Sequence, residues 1–478
     1  MQNFIISNAS IASALFLLLS GCVIPPDLGP QSQPRDDLII YKGQGESDFL
    51  YPKQDWWKLY NDLQLNSLIE EGLAQSPSVA EAAARIQKAN AIAVAAGASL
   101  VPSTSVNCSI SKFRQSYNQG FPPALIPHGF KNTATTSINI DYELDFWGKN
   151  SDNLAAAISE VEAAKLMELH AKIILSTSIA AAYANLAQYY AEFDVLVETV
   201  SVRVKTLELF EKRFKNGLEN ESTVEQARSN LAAAQADLVA IEETVDLTRN
   251  SLAALIGATP LRALKIERPN LEKITPLGVP TVIPADLISR RPDVIAAQMT
   301  LEAAANHINV ARAGFYPNIN LTGYIGHQSL GMSTFLKSTS LTGSFGPAIH
   351  LPLFSAGLIE AQYHDSYAEY NASLANYEAA IVRALHEVAD AITSHKALDL
   401  RIEKTTDALN AAERAYKISK NRYEGGLSTY LEVLRAEDNL IVSRRAMAQI
   451  QARAFTLDVA LTKALGGGFK PTVRPKEK

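Results

Sequence analysis

Few side chains in this 478-residue sequence have the type and spacing for chemistry. Leu19-Ser20-Gly21-Cys22, directly after a short apolar run, resembles the bacterial lipobox, and that resemblance implies acylation of Cys22. Glu143 and Asp145 are paired carboxylates at strand spacing; for glycosidase-like work they would need a pocket holding a sugar between them, and nothing nearby suggests one. They read better as the lining of a wet face. His386-Glu387 begins a zinc-hydrolase signature whose second His is missing, and eight scattered His and two Cys form no metal cluster. There is no Gly-x4-Gly-Lys-Ser/Thr loop, no Gly-x-Gly-x-x-Gly after a strand and no Gly-x-Ser-x-Gly elbow. His327 and His350, near strands, read as pore- or rim-facing polar residues. The expectation is therefore a protein that is no enzyme and takes no cofactor or metal, with covalent lipid on Cys22 as its one attached group.

The elements that must position these residues come in two copies. Arg213-Phe-Lys-Asn-Gly217-Leu218 leads into Glu219 to Leu231, and Arg422-Tyr-Glu-Gly-Gly426-Leu427 leads into Ser428 to Leu440. After the first turn Val224, Ala227, Leu231, Ala234, Leu238, Ile241, Val245, Thr248 and Leu252 step by three and four. Val433, Ala436, Leu440, Ser443, Met447, Ile450, Ala454, Leu457 and Leu461 repeat the pattern. Such seams of small and medium residues predict closely packed coiled coil. The stretches before each Gly are helical too, so each Gly-Leu sits at the turn of a long helical hairpin, where Gly can take the left-handed conformation. Asp152 to Phe214 holds no Gly or Pro and predicts a helix of roughly 95 Å.

Beyond the hairpins, Pro77-Ser-Val79 matches Pro292-Asp-Val294, and Leu100-Val-Pro102 matches Phe315-Tyr-Pro317. A tandem repeat follows. Its parts are a signal peptide (1–21), a lipidated N-terminus and extended linker (22–60), repeat one (61–260), a Pro-rich connector (261–284), repeat two (285–468) and a basic tail (469–478). Cys108 has no partner once Cys22 is acylated, so no disulfide framework is expected. The net charge of −6, with Lys and Arg scattered, argues against a nucleic-acid partner.

Inside each repeat the period changes from helical to two. Ala134, Thr136, Ile138, Ile140, Tyr142, Leu144 and Phe146 fall on one face of a predicted strand, and Thr135, Ser137, Asn139, Asp141, Glu143 and Asp145 on the other. Val106, Cys108 and Ile110, then Ile319, Leu321, Gly323 and Ile325, then Leu341, Phe345, Ile349, Leu351 and Leu353 give three further apolar faces. Alternation over about eleven residues suits a transmembrane β-barrel. A soluble four-stranded sheet with its apolar face on a helix would alternate in the same way. The long helices and the export signal favour the barrel. Because open edges are not tolerated in lipid, other subunits would have to complete it.

With these residues in hand, the sequence resembles the bacterial outer-membrane factors, the TolC-like exit ducts of tripartite efflux pumps, in their lipoprotein (NodT-type) branch. The likeness runs through Leu19-Ser-Gly-Cys22, Asp55-Trp56-Trp57, Asp141-Tyr-Glu-Leu-Asp-Phe-Trp-Gly-Lys149, Arg290-Arg-Pro-Asp-Val294, Ala311-Arg-Ala-Gly-Phe-Tyr-Pro317, Leu351-Pro-Leu-Phe354 and Ala464-Leu-Gly-Gly-Gly468. It implies a mainly α fold with a transmembrane β part: a trimeric α-barrel of coiled-coil hairpins continuous with a twelve-stranded β-barrel, four strands per protomer. Ile138, Ile140, Tyr142, Leu144 and Phe146 would face the membrane. The tips at Gly217, Leu218, Gly426 and Leu427 would dock a periplasmic adaptor serving an inner-membrane transporter of the RND type. A periplasmic gate would map to Thr223, Tyr423, Glu432 and Arg435; Thr223 and Arg435 depart from the acidic residues of the family pattern, and Glu432 keeps its sign. The implied place is the outer membrane, lipid-anchored and barrel-inserted, reaching into the periplasm. A duct for type I protein secretion would share this fold, and a lipid-anchored coiled-coil scaffold without a pore is the competing class.

Overall fold

The computed structural model describes residues 25–35, 52–118, 122–269 and 290–470. The signal segment, Cys22, most of the Pro-rich connector and most of the basic tail lie outside the described residues.

Repeat one runs α1 (Leu63–Gln75), α2 (Pro77–Ala98), β1 (Ser103–Phe113), β2 (Lys131–Glu143), α3 (Lys149–Lys215) and α4 (Glu221–Leu255), followed by a single turn, α5 (Pro260–Ala263). Repeat two runs α6 (Pro292–Ala313), β3 (Asn318–Leu330), β4 (Leu341–His350), α7 (Leu358–Glu424) and α8 (Tyr430–Ala464). Both long helices have 67 residues and both return helices 35, so the repeat extends to element length. At the α-helical rise the long ones span about 100 Å.

By its contacts the chain divides into two compact units, each drawing segments from both repeats. Of the described residues, one takes those within Ile86–Ala163 and Ala297–Tyr377 together with 25–33; the other takes those within Pro34–Arg85, Ala164–Ala296 and Glu378–Lys478. The first unit carries the sheet, antiparallel throughout in the order β1-β2-β3-β4. Its register aligns every predicted apolar face. Val106 stands opposite Ile138, Ile138 opposite Ile325, and Ile325 opposite Gly343, while Tyr142 faces Leu321 and Ile319 faces Ile349. Among the described residues no helix covers that face: Val106 and Ile110 are about 70% exposed, Phe345 74% and Ile349 62%. Nothing among the described residues answers to the alternative of a soluble sheet packed on a helix.

The structure corrects the strand ends. β2 stops at Glu143 and β4 at His350, so Leu144, Phe146, Leu351 and Leu353 lie beyond the strands rather than on their apolar face. The reason is the start of α3. The Asp145 carboxylate accepts from the Asn150 N–H at 3.0 Å and the Ser151 N–H at 2.8 Å, which ties the chain into a helix N-terminus. Asp145 is thus a capping residue and not part of a wet strand face. Glu143 is also engaged, 3.0 Å from Lys149 Nζ and accepting from Asn318 Nδ2 at 3.1 Å. His327 falls in register with the apolar face, opposite Leu341 beside the β3–β4 turn, its ring 6.3 Å from Phe335.

The second unit has the core. Trp56, Tyr60, Leu65, Leu68 and Ile69 from the N-terminal part pack with Ile179, Tyr183, Leu252, Ile256 and Phe455. The Tyr60 hydroxyl donates to Asp458 at 2.5 Å, both groups being buried. The end of each return helix closes against the start of its own repeat. A Cβ on Gly257 would meet Gln75 O at 2.8 Å, and one on Gly466 would meet Arg290 O at 2.1 Å. Beside Gly466, the buried Arg291 guanidinium binds Asp293 at 2.8 Å, Glu387 at 2.5 Å and the carbonyl of Ala464 at 3.3 Å. Burial works against the Arg291 charge, but these carboxylates outweigh it and hold its pKa above the ordinary value. One residue thereby links α6, α7 and α8.

Candidate functional site

The two hairpin tips have one backbone design. At the first, Leu218 N–H donates to Arg213 O and Gly217 N–H to Phe214 O, each at 2.9 Å. At the second, Leu427 N–H donates to Arg422 O at 2.8 Å and Gly426 N–H to Tyr423 O at 2.9 Å. Both are Schellman closures, with φ of +72° at Gly217 and +74° at Gly426, a region that non-glycine side chains disfavour. In such a closure the residue after the Gly usually packs back on the helix. Here Leu218 and Leu427 are 66% and 74% exposed, so each tip offers a bare leucine.

Just past the first tip, Asn220 caps α4: its Oδ1 accepts from the Thr223 N–H at 2.9 Å and the Thr223 hydroxyl at 3.0 Å. Thr223 is therefore occupied in capping. Past the second tip, Thr429 precedes α8 without a side-chain cap, and Glu432 and Arg435 are both exposed on its first turns. Tyr423 is half-buried and joins the tips. Its ring lies 5.5 Å from Tyr430 and 5.7 Å from the Arg213 guanidinium, and Tyr430 meets Phe210 edge-on at 4.4 Å. Burial pushes the Tyr430 hydroxyl up to about 12, so it stays neutral. The structure thus gathers Gly217, Leu218, Tyr423, Gly426 and Leu427 at one end of the second unit.

A charged cluster that sequence reasoning passed over binds the two hairpins to each other. Arg203 of α3 is buried and lies 3.3 Å from Glu437 and 2.8 Å from Asp438, both on α8. Arg444 of α8 pairs with Glu198 of α3, and Arg445 with Asp237 of α4 at 3.4 Å. Burial raises the pKa of Glu437 despite the pull of Arg203, with Asp438 adding to the rise. The signal was present in the sequence. Arg203 interrupts the apolar stripe through Leu196, Val200, Leu207 and Phe210, and Glu437 stands four residues after Val433 on the seam. A groove of about 530 Å³ runs along these helices, lined by Arg203, Asp237, Arg435, Asp438 and Arg445 among others.

Among the described residues no group of His, Cys, Asp and Glu could hold a metal ion, and no helix is long and apolar enough to cross a membrane. Ile138, Ile140 and Tyr142 share the apolar face of the sheet, which no helix among the described residues covers.

The sequence model of the family described as outer membrane efflux protein matches residues 68–258 and 283–467, one stretch per repeat. The chain is 32% identical over 355 residues to the fusaric acid resistance protein FusA of Burkholderia cepacia, covering 73% of this chain and 67% of that one. It is 27% identical over 470 residues to the multidrug resistance outer membrane protein MdtP of Escherichia coli, covering 96% of each. The crystal structure of the outer membrane protein VceC of Vibrio cholerae superposes with a TM-score of 0.82 at 43% identity, over 88% of this chain and all of that one. With both repeats matched and the fold shared across nearly the whole length, this chain belongs to the outer membrane efflux protein family and is an outer-membrane channel for efflux.

Proposed function

We propose that three copies of this chain close a twelve-stranded barrel and form a passive exit duct, anchored by lipid on Cys22. The tips at Gly217-Leu218 and Gly426-Leu427 dock a periplasmic adaptor, and an inner-membrane transporter of the RND type supplies the energy. The observation that carries this reading is the sheet: among the described residues its apolar face has no covering helix, and its β1 and β4 edges have no partner strand. In hydrocarbon both edges must be paired, which further copies accomplish without new structure. The duct catalyses no reaction. Its cargo is whatever its pump delivers, and the relatives named for fusaric acid and multidrug resistance support small toxic organic compounds.

The gate lies where the tips meet, with Tyr423, Glu432 and Arg435 on the second hairpin and Thr223 steadying the first. A ring of three Glu432 would favour cations through a narrow pore. Planar-bilayer recording of purified protein tests the reading. Small unitary conductance is expected from the wild type and a several-fold larger one from the triple variant Arg203→Ala/Arg444→Ala/Arg445→Ala, which removes the ion pairs that join the hairpins. If neither conducts, the chain is a lipid-anchored scaffold and not a duct. Acylation is read separately, as a lipid mass on the N-terminal peptide that Cys22→Ala abolishes.

A further inference from the structure

The antiparallel sheet has two unlike ends. At one its strands join the helices, and at the other the connections 114–130 and 331–340 turn the chain around. Charge is sorted between these ends. The carboxylates within the strands, Asp141 and Glu143, stand at the helix end of β2. The turn end carries Lys112, Arg114, Lys131 and Lys337, all exposed, and no Asp or Glu occurs anywhere in 82–140 or 303–359. Among the described residues none of these four cations forms an ion pair. Yet the chain as a whole has a net charge of −6.

The cations are placed against the apolar face and among apolar side chains. Val106, Cys108 and Ile110 lie on that face of β1, and Lys112 is the next residue on it, so the face ends in an ammonium group. Arg114 follows, its guanidinium 5.8 Å from the Tyr117 ring and 6.0 Å from the Phe130 ring. Tyr117 is fixed in turn, because its hydroxyl accepts from the Gly129 N–H at 3.1 Å. Lys131 stands opposite Phe113 and next in sequence to Asn132, the residue opposite Lys112. Phe113, Phe130 and Leu336, each adjacent in sequence to one of these cations, are exposed large apolar side chains.

A soluble polyanion would meet the charges and leave the apolar side chains in water. A lipid with phosphate groups on its head answers both features. Phosphate pairs with ammonium and guanidinium groups, and acyl chains lie along the face that Lys112 ends. We propose that the turn end of the sheet binds a phosphorylated lipid of the outer leaflet, whose headgroup carries two phosphate groups as lipid A does. Its orientation rests on the outer-membrane duct reading: the helices lead into the periplasm, which puts the turns at the outer leaflet.

The test is isothermal titration of the full detergent-solubilised protein with diphosphoryl lipid A in the same detergent. Phosphatidylcholine supplies acyl chains without net charge, and inorganic pyrophosphate supplies phosphate without acyl chains. Saturable lipid A binding is expected, at least tenfold tighter than that of either, and weaker with added salt. It should weaken at least tenfold in Lys112→Gln/Arg114→Gln/Lys131→Gln. Because Arg114 packs on two rings, Lys112→Gln/Lys131→Gln repeats the measurement with that packing intact and should still weaken binding severalfold. Arg414→Gln/Lys417→Gln/Lys420→Gln, which removes as much charge from exposed positions on α7, should bind as the wild type does. Four results would overturn the proposal: no saturable lipid A binding, pyrophosphate or phosphatidylcholine bound as tightly, binding unchanged in both turn-end variants, or an equal loss in the α7 variant. Bilayer conductance of the same preparation tests the duct by itself, so a channel that conducts but ignores lipid A would sink this inference alone.

Discussion

Gly426 and Gly466 both hold a left-handed backbone, with φ of +74° and +86°, yet they answer to different constraints. Nothing lies within 4 Å of where a Cβ on Gly426 would stand, whereas one on Gly466 would collide with the Arg290 carbonyl at 2.1 Å. Gly426→Ala should therefore cost only the backbone term, about 1–2 kcal/mol. Gly466→Ala adds a clash with rigid backbone and should cost clearly more, about 3 kcal/mol or above. Thermal unfolding followed by helical circular dichroism ranks the two; equal losses would contradict the packing described here. Close by, His170 stands 4.0 Å from Asp293 with Arg291, Lys463 and Glu387 around it. Burial lowers its pKa, Asp293 and Glu387 oppose this, and Arg291 and Lys463 reinforce it. A histidine depressed in the fold takes its proton more readily when unfolded, so it withdraws stability as pH falls below about 6.5. The unfolding midpoint should drop between pH 7 and pH 5, and His170→Gln should flatten that slope. An unchanged slope in the variant would place the sensitivity elsewhere.

At the level of elements, periodicity made the helices and strands legible. Val224, Ala227, Ala234, Ile241, Val245 and Leu252 are buried along α4 as their spacing requires. What alternation could not supply was the point where a strand gives way to a helix. The sequence from Ala134 to Phe146 alternates without a break, and only the capping carboxylate of Asp145, with Gly148 at φ +77°, ends the strand early. The site was legible in part. Gly-Leu marked both tips, but the Arg203 cluster required knowing that α3 packs on α8, a contact between residues more than 230 positions apart. The sheet face permits a paired test on adjacent residues of β4. Phe345 belongs to the apolar face and Ser344 to the other. Arg at position 345 should cost about 2–4 kcal/mol if it sits near the bilayer midplane, and Arg at 344 very little. The readout is the amount of folded protein recovered in the outer membrane. Comparable recovery of the two variants would mean that the face does not meet lipid.

For the whole molecule the open question of assembly reduces to two edges. Among the described residues of the single chain β1 pairs only with β2 and β4 only with β3, which leaves one side of each to bond to another chain. If a ring of copies closes the barrel, β4 of one copy lies against β1 of the next. Residues directly opposite in such a pair have Cβ atoms about 4.5–5.5 Å apart. The chain already carries a reporter, because Cys108 stands in the middle of β1, exposed, on the apolar face. Single replacements by Cys at Leu341, Gly343, Phe345 or Ile349 place a second thiol on the same face of β4. A short bifunctional thiol reagent should then convert at least one of these variants into covalent dimers and trimers with nothing larger, since a closed ring of three has three such joints. Adding Cys108→Ser should abolish the products, which also excludes any contribution from Cys22. If all four variants remain monomeric on denaturing gels, the β1 and β4 edges do not meet between copies, and a barrel built from three chains is untenable.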